Sequence, residues 1–123
     1  MNAKSMSVGF TVNDLDRSMQ FYTKLGFEIE QRWERDGTLV GVMLRGGNAA
    51  IGIGQDDWKK GRNRVKGVGM RVWIVTDEDL DRLAERARSA GVAEAAAHDA
   101  PWGGRLLDLT DPDGFAISFS NRG

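Results

Sequence analysis

The side chains with most to offer a ligand are four tryptophans, Trp33, Trp58, Trp73 and Trp102, a high load for 123 residues. An indole presents a wide flat π surface and one N–H donor, which suits stacking on a planar molecule better than bond breaking. Trp33 follows Ile29 and Gln31 at alternate positions, with Glu28, Glu30, Arg32 and Glu34 between them, so strand spacing places the three on one face. Trp58 lies in a hydrophilic segment with no local core to enter. Trp102 lies in the turn-like run Pro101-Trp102-Gly103-Gly104. These three are expected to contact a ligand. Trp73 stands inside an apolar run and is expected in the core.

Groups that make and break bonds are scarce. There is no cysteine and one histidine, His98. Disulfides, thiolate metal sites, iron–sulfur clusters, a cysteine nucleophile and a histidine-rich metal centre within one chain are all excluded. His98 sits in an alanine-rich stretch without a nucleophile elbow, so a Ser–His–Asp triad is not indicated and a rim position is expected. Gly67–Arg71 is glycine-rich but precedes a strand, whereas phosphate and dinucleotide loops open a helix. Asp108, Asp111 and Asp113 lie close enough to suggest calcium, yet Asp111-Pro112-Asp113-Gly114 between two strands is more simply a turn. The remaining acid–base candidates are His98, Glu30, Asp108 and Tyr22, none with a partner visible in the sequence.

Seventeen basic against eighteen acidic residues give a net charge of -1, without the basic bias of a nucleic-acid binder. No apolar run approaches the ~20 residues of a membrane span. Met1–Ser7 lacks the apolar centre of a signal peptide, so the cytoplasm is the expected compartment.

One domain over residues 1–123 is expected, built from two similar halves, 6–55 and 67–121. Asn13–Arg17 (NDLDR) matches Glu78–Arg82 (EDLDR) 65 positions later, and Gly26 matches Gly91 at the same offset. Asp14 and Asp79 are expected N-caps, with the glycines in the left-handed position past each helix. A strand precedes each helix, Val8–Val12 and Met70–Val75. The second helix has the clearer apolar stripe, Leu80, Leu83, Ala84, Ala87 and Ala90, against Leu15, Met19, Tyr22 and Leu25 in the first. Three strands follow in each half: Phe27–Glu34, Leu39–Arg45 and Ala49–Gly54, then Ala93–Ala97, Gly104–Leu109 and Phe115–Ser120. Asp36-Gly37 and Gly46-Gly47-Asn48 mark turns in the first half. Each half is thus βαβββ and the fold class α+β. The connector 56–66 is strongly charged and expected to be solvated and mobile. Ala50, Gly52 and Gly54 share one face of their strand, which leaves space there for a cavity or a close backbone approach.

The two βαβββ halves, Val12–Phe27 (VNDLDRSMQFYTKLGF) and Asp111–Phe119 (DPDGFAISF) together resemble the vicinal oxygen chelate superfamily, the glyoxalase, bleomycin-resistance and extradiol-dioxygenase group. The resemblance covers nearly the whole chain and implies curved mixed sheets forming a ligand groove. It specifies the fold better than the function. Enzymes of that group hold a divalent metal with His, Gln or Glu at four strand positions. Carried over, these fall on Ser7, near Gly52, on Met70 and on Ser118, none a competent ligand for such an ion. No metal and no cofactor is therefore expected.

The match is closer to the metal-free, bleomycin-resistance-type members, at Val68–Leu83 and Ala100–Phe119. The resemblance implies a homodimer, often with exchanged arms in such proteins, whose groove takes a small-molecule aromatic antibiotic between aromatic side chains. Trp102 and Trp33 occupy such positions by resemblance. Trp58, Met43, Met70, Ser7, Ser118, Arg105 and His98 complete the expected ligand-binding set. Arg32, Arg35, Arg45, Arg62, Arg64 and Arg105 balance Glu30, Glu34 and Asp36 around the expected rim. Bleomycin binders present an acidic groove to a strongly cationic drug, so a less cationic aromatic ligand is expected here. The expected function is sequestration without chemical change, conferring drug resistance or self-resistance. The alternative is a metal-independent enzyme on the same scaffold.

Overall fold

The computed structural model describes residues 1–62 and 64–122. The chain forms two compact units, Met1–Arg64 and Val65–Gly123. In the first, strand β1 (Val8–Val12) leads into helix α1 (Leu15–Lys24), followed by β2 (Glu28–Arg35), β3 (Thr38–Gly46) and β4 (Ala49–Gln55). In the second, β5 (Arg71–Val75) leads into α2 (Leu80–Ser89), followed by β6 (His98–Asp99), β7 (Arg105–Thr110) and β8 (Ala116–Ser120). The sheet orders are β1-β4-β3-β2 and β5-β8-β7-β6. In each sheet the first strand runs parallel to the last and the other pairs are antiparallel. This is the expected α+β architecture of two tandem βαβββ modules.

Local chemistry explains the element ends. The Asp14 side chain accepts from Arg17 N, and that of Asp79 from Asp81 N and Arg82 N. Each carboxylate thus takes N–H groups that a first helical turn leaves without partners. Gly26 and Gly91 follow the helices at φ 112° and 72°. Asp36 and Gly37 form the two-residue loop between β2 and β3 at φ 52° and 78°, the pair of left-handed residues a type I′ hairpin requires.

Each sheet packs one face on its helix. In the first unit Leu15, Phe21 and Tyr22 of α1 are buried, as are Val42, Leu44, Ile51 and Ile53 of the sheet. Phe21, Tyr22 and Phe27 meet edge to face, with centroids 5.0 and 5.9 Å apart. In the second unit Leu80, Leu83, Ala84 and Ala87 of α2 and Leu107, Leu109, Ile117 and Phe119 of the sheet form the core. The opposite sheet faces carry the candidate functional groups.

Two expectations on elements are corrected and the connector gains one detail. The strand expected over Ala93–Ala97 lies instead at His98–Asp99, pairing with β7 as His98↔Leu106 and Asp99↔Arg105. A run of alanines with a single glutamate carries no periodic signal, so pairing with β7 decides the position. In the connector Asp57, Lys59, Lys60, Gly61 and Arg62 are exposed, while Asp56 is 4% exposed, accepts from Trp58 N, and binds Arg64 Nη2 at 2.8 Å. Trp73 is 55% exposed, because Val72 and Ile74 are the β5 residues paired with Ile117 and Phe119 on the buried face.

Candidate ligand-binding faces

The free face of the first sheet is floored by glycine. Gly9, Gly52, Met43 and Gln31 lie in one cross-strand row; Thr11, Gly54, Gly41 and Trp33 lie in the next. Trp33 is 44% exposed. Together with Gly9, Thr11, Val40, Gly41, Gly52 and Gly54 it lines an open groove of about 370 Å³. A strand without side chains exposes a flat strip of backbone, and an indole beside it supplies the wall.

The position of Trp33 depends on a feature that simple alternation misses. The β2–β3 register shifts between Ile29 and Gln31, where Glu30 is the extra residue. Ile29 therefore stands opposite Leu44 on the buried side, whereas Gln31 and Trp33 stand opposite Met43 and Gly41 on the open side. Ile29 and Trp33 do not share a face, contrary to the alternation. The bulged Glu30 meets Arg45, its Oε2 2.5 Å from Arg45 Nε.

Ser7 and Met43 are brought together with Gln31, Arg45 and Ala50 around a smaller recess of about 220 Å³. The Met43 side chain leans toward Gly52. Trp58 stays in the connector, half-buried and at φ 64°, with the Arg62 guanidinium 4.9 Å from its ring centroid. That contact is a cation–π pair.

The free face of the second sheet is polar at its centre and aromatic at its border. Ser118 of β8 pairs with Trp73 on one side and Asp108 on the other. Ser118 Oγ donates to Asp108 Oδ1 at 2.5 Å and accepts from Arg71 Nη1 at 2.7 Å. Arg71 Nη1 lies 3.7 Å from Asp108 Oδ1, and His98 Nε2 lies 3.7 Å from Asp108 Oδ2. One side chain from each strand thus forms the row Arg71, Ser118, Asp108, His98. Trp102 meets Trp73 with centroids 6.0 Å apart at 63°.

Ser118 faces the expected side, but Arg71 and Asp108 engage its hydroxyl and it is wholly buried. Met70 precedes β5 and is 41% exposed; Arg71, not Met70, is the residue that reaches Ser118. Arg105 is committed elsewhere. Its Nη2 binds Asp81 at 2.7 Å and the Ala97 carbonyl at 3.1 Å, and its Nη1 binds Asp99 at 2.9 Å. Asp81 first, and then Asp99, hold the guanidinium above its usual pKa range. Tyr22 is fully buried, which removes it as an acid or base. Asp111 is a turn residue: its Oδ1 accepts from Asp113 N and Phe115 N at 2.9 Å each.

These residues do not fit a divalent cation. In the first unit the metal positions that the resemblance implies fall on Ser7, a hydroxyl, and near Gly52, which has no side chain. In the second, Ser118 Oγ already serves Arg71 and Asp108, and the neighbouring donor is a guanidinium with permanent positive charge. Among the described residues no group of three or more His, Asp or Glu side chains is arranged to hold a metal.

Sequence reasoning missed Arg71 and the His98–Asp108 pair. Arg71 meets Ser118 across 47 positions of chain, the His98–Asp108 pair depends on where β6 forms, and only the alternation Arg71-Trp73-Val75 carried a signal for the first.

Comparison with known proteins agrees with this geometry. No curated protein matches the chain in sequence. The domain of the glyoxylase/bleomycin resistance protein/dioxygenase type from Frankia sp. EAN1pec is 26% identical with a TM-score of 0.76, covering 100% of this chain and 96% of that one. TioX from Micromonospora sp. ML1 is 22% identical with a TM-score of 0.75, over 98% of this chain and 100% of that one. A bleomycin-binding protein solved in complex with bleomycin is 20% identical with a TM-score of 0.72, over 98% and 100%. No helix among the described residues is long and apolar enough to cross a membrane. Residues 6–119 match the sequence profile of one family, and on that match the chain belongs to the Glyoxalase/Bleomycin resistance protein/Dioxygenase superfamily.

Proposed function

We propose that this protein binds a flat aromatic natural product without changing it and so withholds the drug from its target. The observation that carries this reading is Trp33, half exposed beside a floor of Gly9, Gly41, Gly52 and Gly54. Base–aromatic stacking sets a scale of ~1–3 kcal/mol per flat face, and apolar burial adds to it before the costs of association are met. The ligand class is bleomycin-like, mitomycin-like or of the anthraquinone and enediyne type. A less cationic member suits this chain, because the groove is lined by glycine, apolar residues and Thr11, without an acidic residue. The bleomycin-binding structural neighbour supports a small-molecule partner.

A cytoplasmic homodimer belongs to this reading. Trp73, Val75 and Trp102 of the second unit are exposed, with the two indoles in contact, more apolar surface than scattered single residues, and a second copy would cover part of it. The test is quenching of tryptophan fluorescence by bleomycin, mitomycin C and an anthraquinone drug, with the mass of the recovered drug measured after incubation. Saturable quenching with the drug returned intact supports sequestration. No quenching by any of the three overturns it.

A second reading, a metal-independent enzyme, is favoured by one observation. His98 and Asp108 stand together on an exposed face, 3.7 Å apart, and supply an acid–base pair. A changed drug mass would select this reading.

A further inference from the structure

In the second unit the group that engages Ser118 is the Arg71 guanidinium, and it has donors to spare. Arg71 is 43% exposed in its side chain and spends only Nη1, on Ser118 and Asp108. Its Nη2 and Nε make no hydrogen bond among the described residues. Trp73 lies two residues along the same strand, on the same face, and brings Trp102 with it. A fixed planar donor edge therefore adjoins a pair of flat rings.

We infer that this face takes a planar aromatic acid, an ionised phenol or enol beside a ring carbonyl, as in the hydroxyquinones. The ring system lies against Trp73 and Trp102, and the oxyanion and carbonyl oxygens meet the free edge of Arg71. A guanidinium recognises paired oxygens through two N–H groups in one plane, which an ammonium cannot do. Asp108 has two effects. Through Ser118 it fixes the orientation of Arg71, and its charge offsets that of Arg71, which tempers the attraction for an anion. His98 on its far side limits that offset whenever it carries a proton. A cationic drug gains nothing from this row. The inference rests on the proposed binding of flat aromatic ligands and names their chemistry.

The test uses two naphthoquinones of nearly equal size: 2-hydroxy-1,4-naphthoquinone, ionised at neutral pH, and 2-methyl-1,4-naphthoquinone, which carries no acid. Each is titrated against the intact protein by fluorescence quenching. The hydroxy compound is expected to bind about tenfold or more tightly than the methyl compound, the scale of one charge-assisted hydrogen bond. Arg71→Met should bring the ratio close to one, chiefly by weakening the hydroxy compound. Asp108→Asn should strengthen the hydroxy compound, because it removes the competing carboxylate. A merely structural role for the row would weaken both compounds in both variants. Equal affinities in the native protein, or a ratio that survives Arg71→Met, would overturn the inference while leaving flat-ligand binding intact. Failure of both compounds to bind would overturn the inference and the flat-ligand reading together.

Discussion

The indole of Trp33 lies against Gly41, so close that a β-carbon added to the glycine would come within 3.3 Å of Trp33 Cε3 and 3.1 Å of the Ile53 carbonyl oxygen. The bulge at Glu30 and the missing side chain of Gly41 together set the ring's place beside the groove. Gly41→Ala is therefore expected to displace the ring and weaken aromatic drug binding several-fold. A shift in the tryptophan emission maximum of the unliganded protein checks the displacement, and a quenching titration checks the affinity.

Gly54 offers the complementary test. A β-carbon there would meet only the Val40 carbonyl oxygen, at 3.8 Å, an ordinary contact. Gly54→Leu should fill the groove without straining the strand, which also gains from losing a glycine. Quenching by a drug held in the Trp33 groove should disappear, quenching by 2-hydroxy-1,4-naphthoquinone on the face of the second unit should persist, and the thermal midpoint should stay the same or rise. A variant that still binds the drug would place the ligand elsewhere.

Gly67 tests the fold of the second unit. Its φ is 76°, and a β-carbon would overlap the Gly114 carbonyl of the Asp111–Gly114 turn. Left-handed strain and a clash with backbone act together, so Gly67→Ala is expected to destabilise the protein by about 1–3 kcal/mol. Chemical denaturation should show the loss as a lower midpoint with unchanged slope.

The acid limb of stability carries a signature of Glu85. Hydrogen bonds from Arg88 and then Ser89 hold its carboxyl below the usual carboxylate range. A folded-state pKa below the unfolded value gives stability that is present above the unfolded pKa and lost as pH falls through the folded one. Glu85→Gln should therefore be slightly less stable than the native protein at neutral pH and indistinguishable from it in strong acid. Denaturation at a series of pH values measures the difference.

Divalent metal should leave the protein unmoved. Ser7, Gly52, Arg71 and Ser118 provide no donor set for zinc, manganese or iron. Thermal midpoints with and without added metal are expected to agree. A concentration-dependent rise would reveal specific binding to the folded state.

Features set by neighbours in the chain were legible from the sequence. Asp14, Asp79, Gly26, Gly91 and the Asp36-Gly37 turn each act within a few residues, and each lies where the local pattern placed it. The stripe Leu80, Leu83, Ala84 and Ala87 was visible for the same reason, since one helix turn repeats it. In α1 the stripe was blurred, because the buried Ser18 and Phe21 interrupt the simple spacing.

Features set by pairing were not legible. His98 meets Asp108 only because β6 forms at His98–Asp99 and not within the preceding alanines. Arg71 reaches Ser118 across 47 positions of chain, and Met70 looked equivalent while the register was unknown. Trp73 resembled a core residue because strand alternation alone does not say which side a helix covers.

The extra residue at Glu30 acts as a phase change in the strand that carries Trp33. Ile29, Gln31, Arg32 and Trp33 already face Leu44, Met43, Val42 and Gly41 in turn, so it is the same strand paired without the bulge, with every residue kept, that would send the indole to the side now held by helix α1. Substitutions can tune what the pocket prefers, but the phase of this one strand decides whether there is a pocket at all.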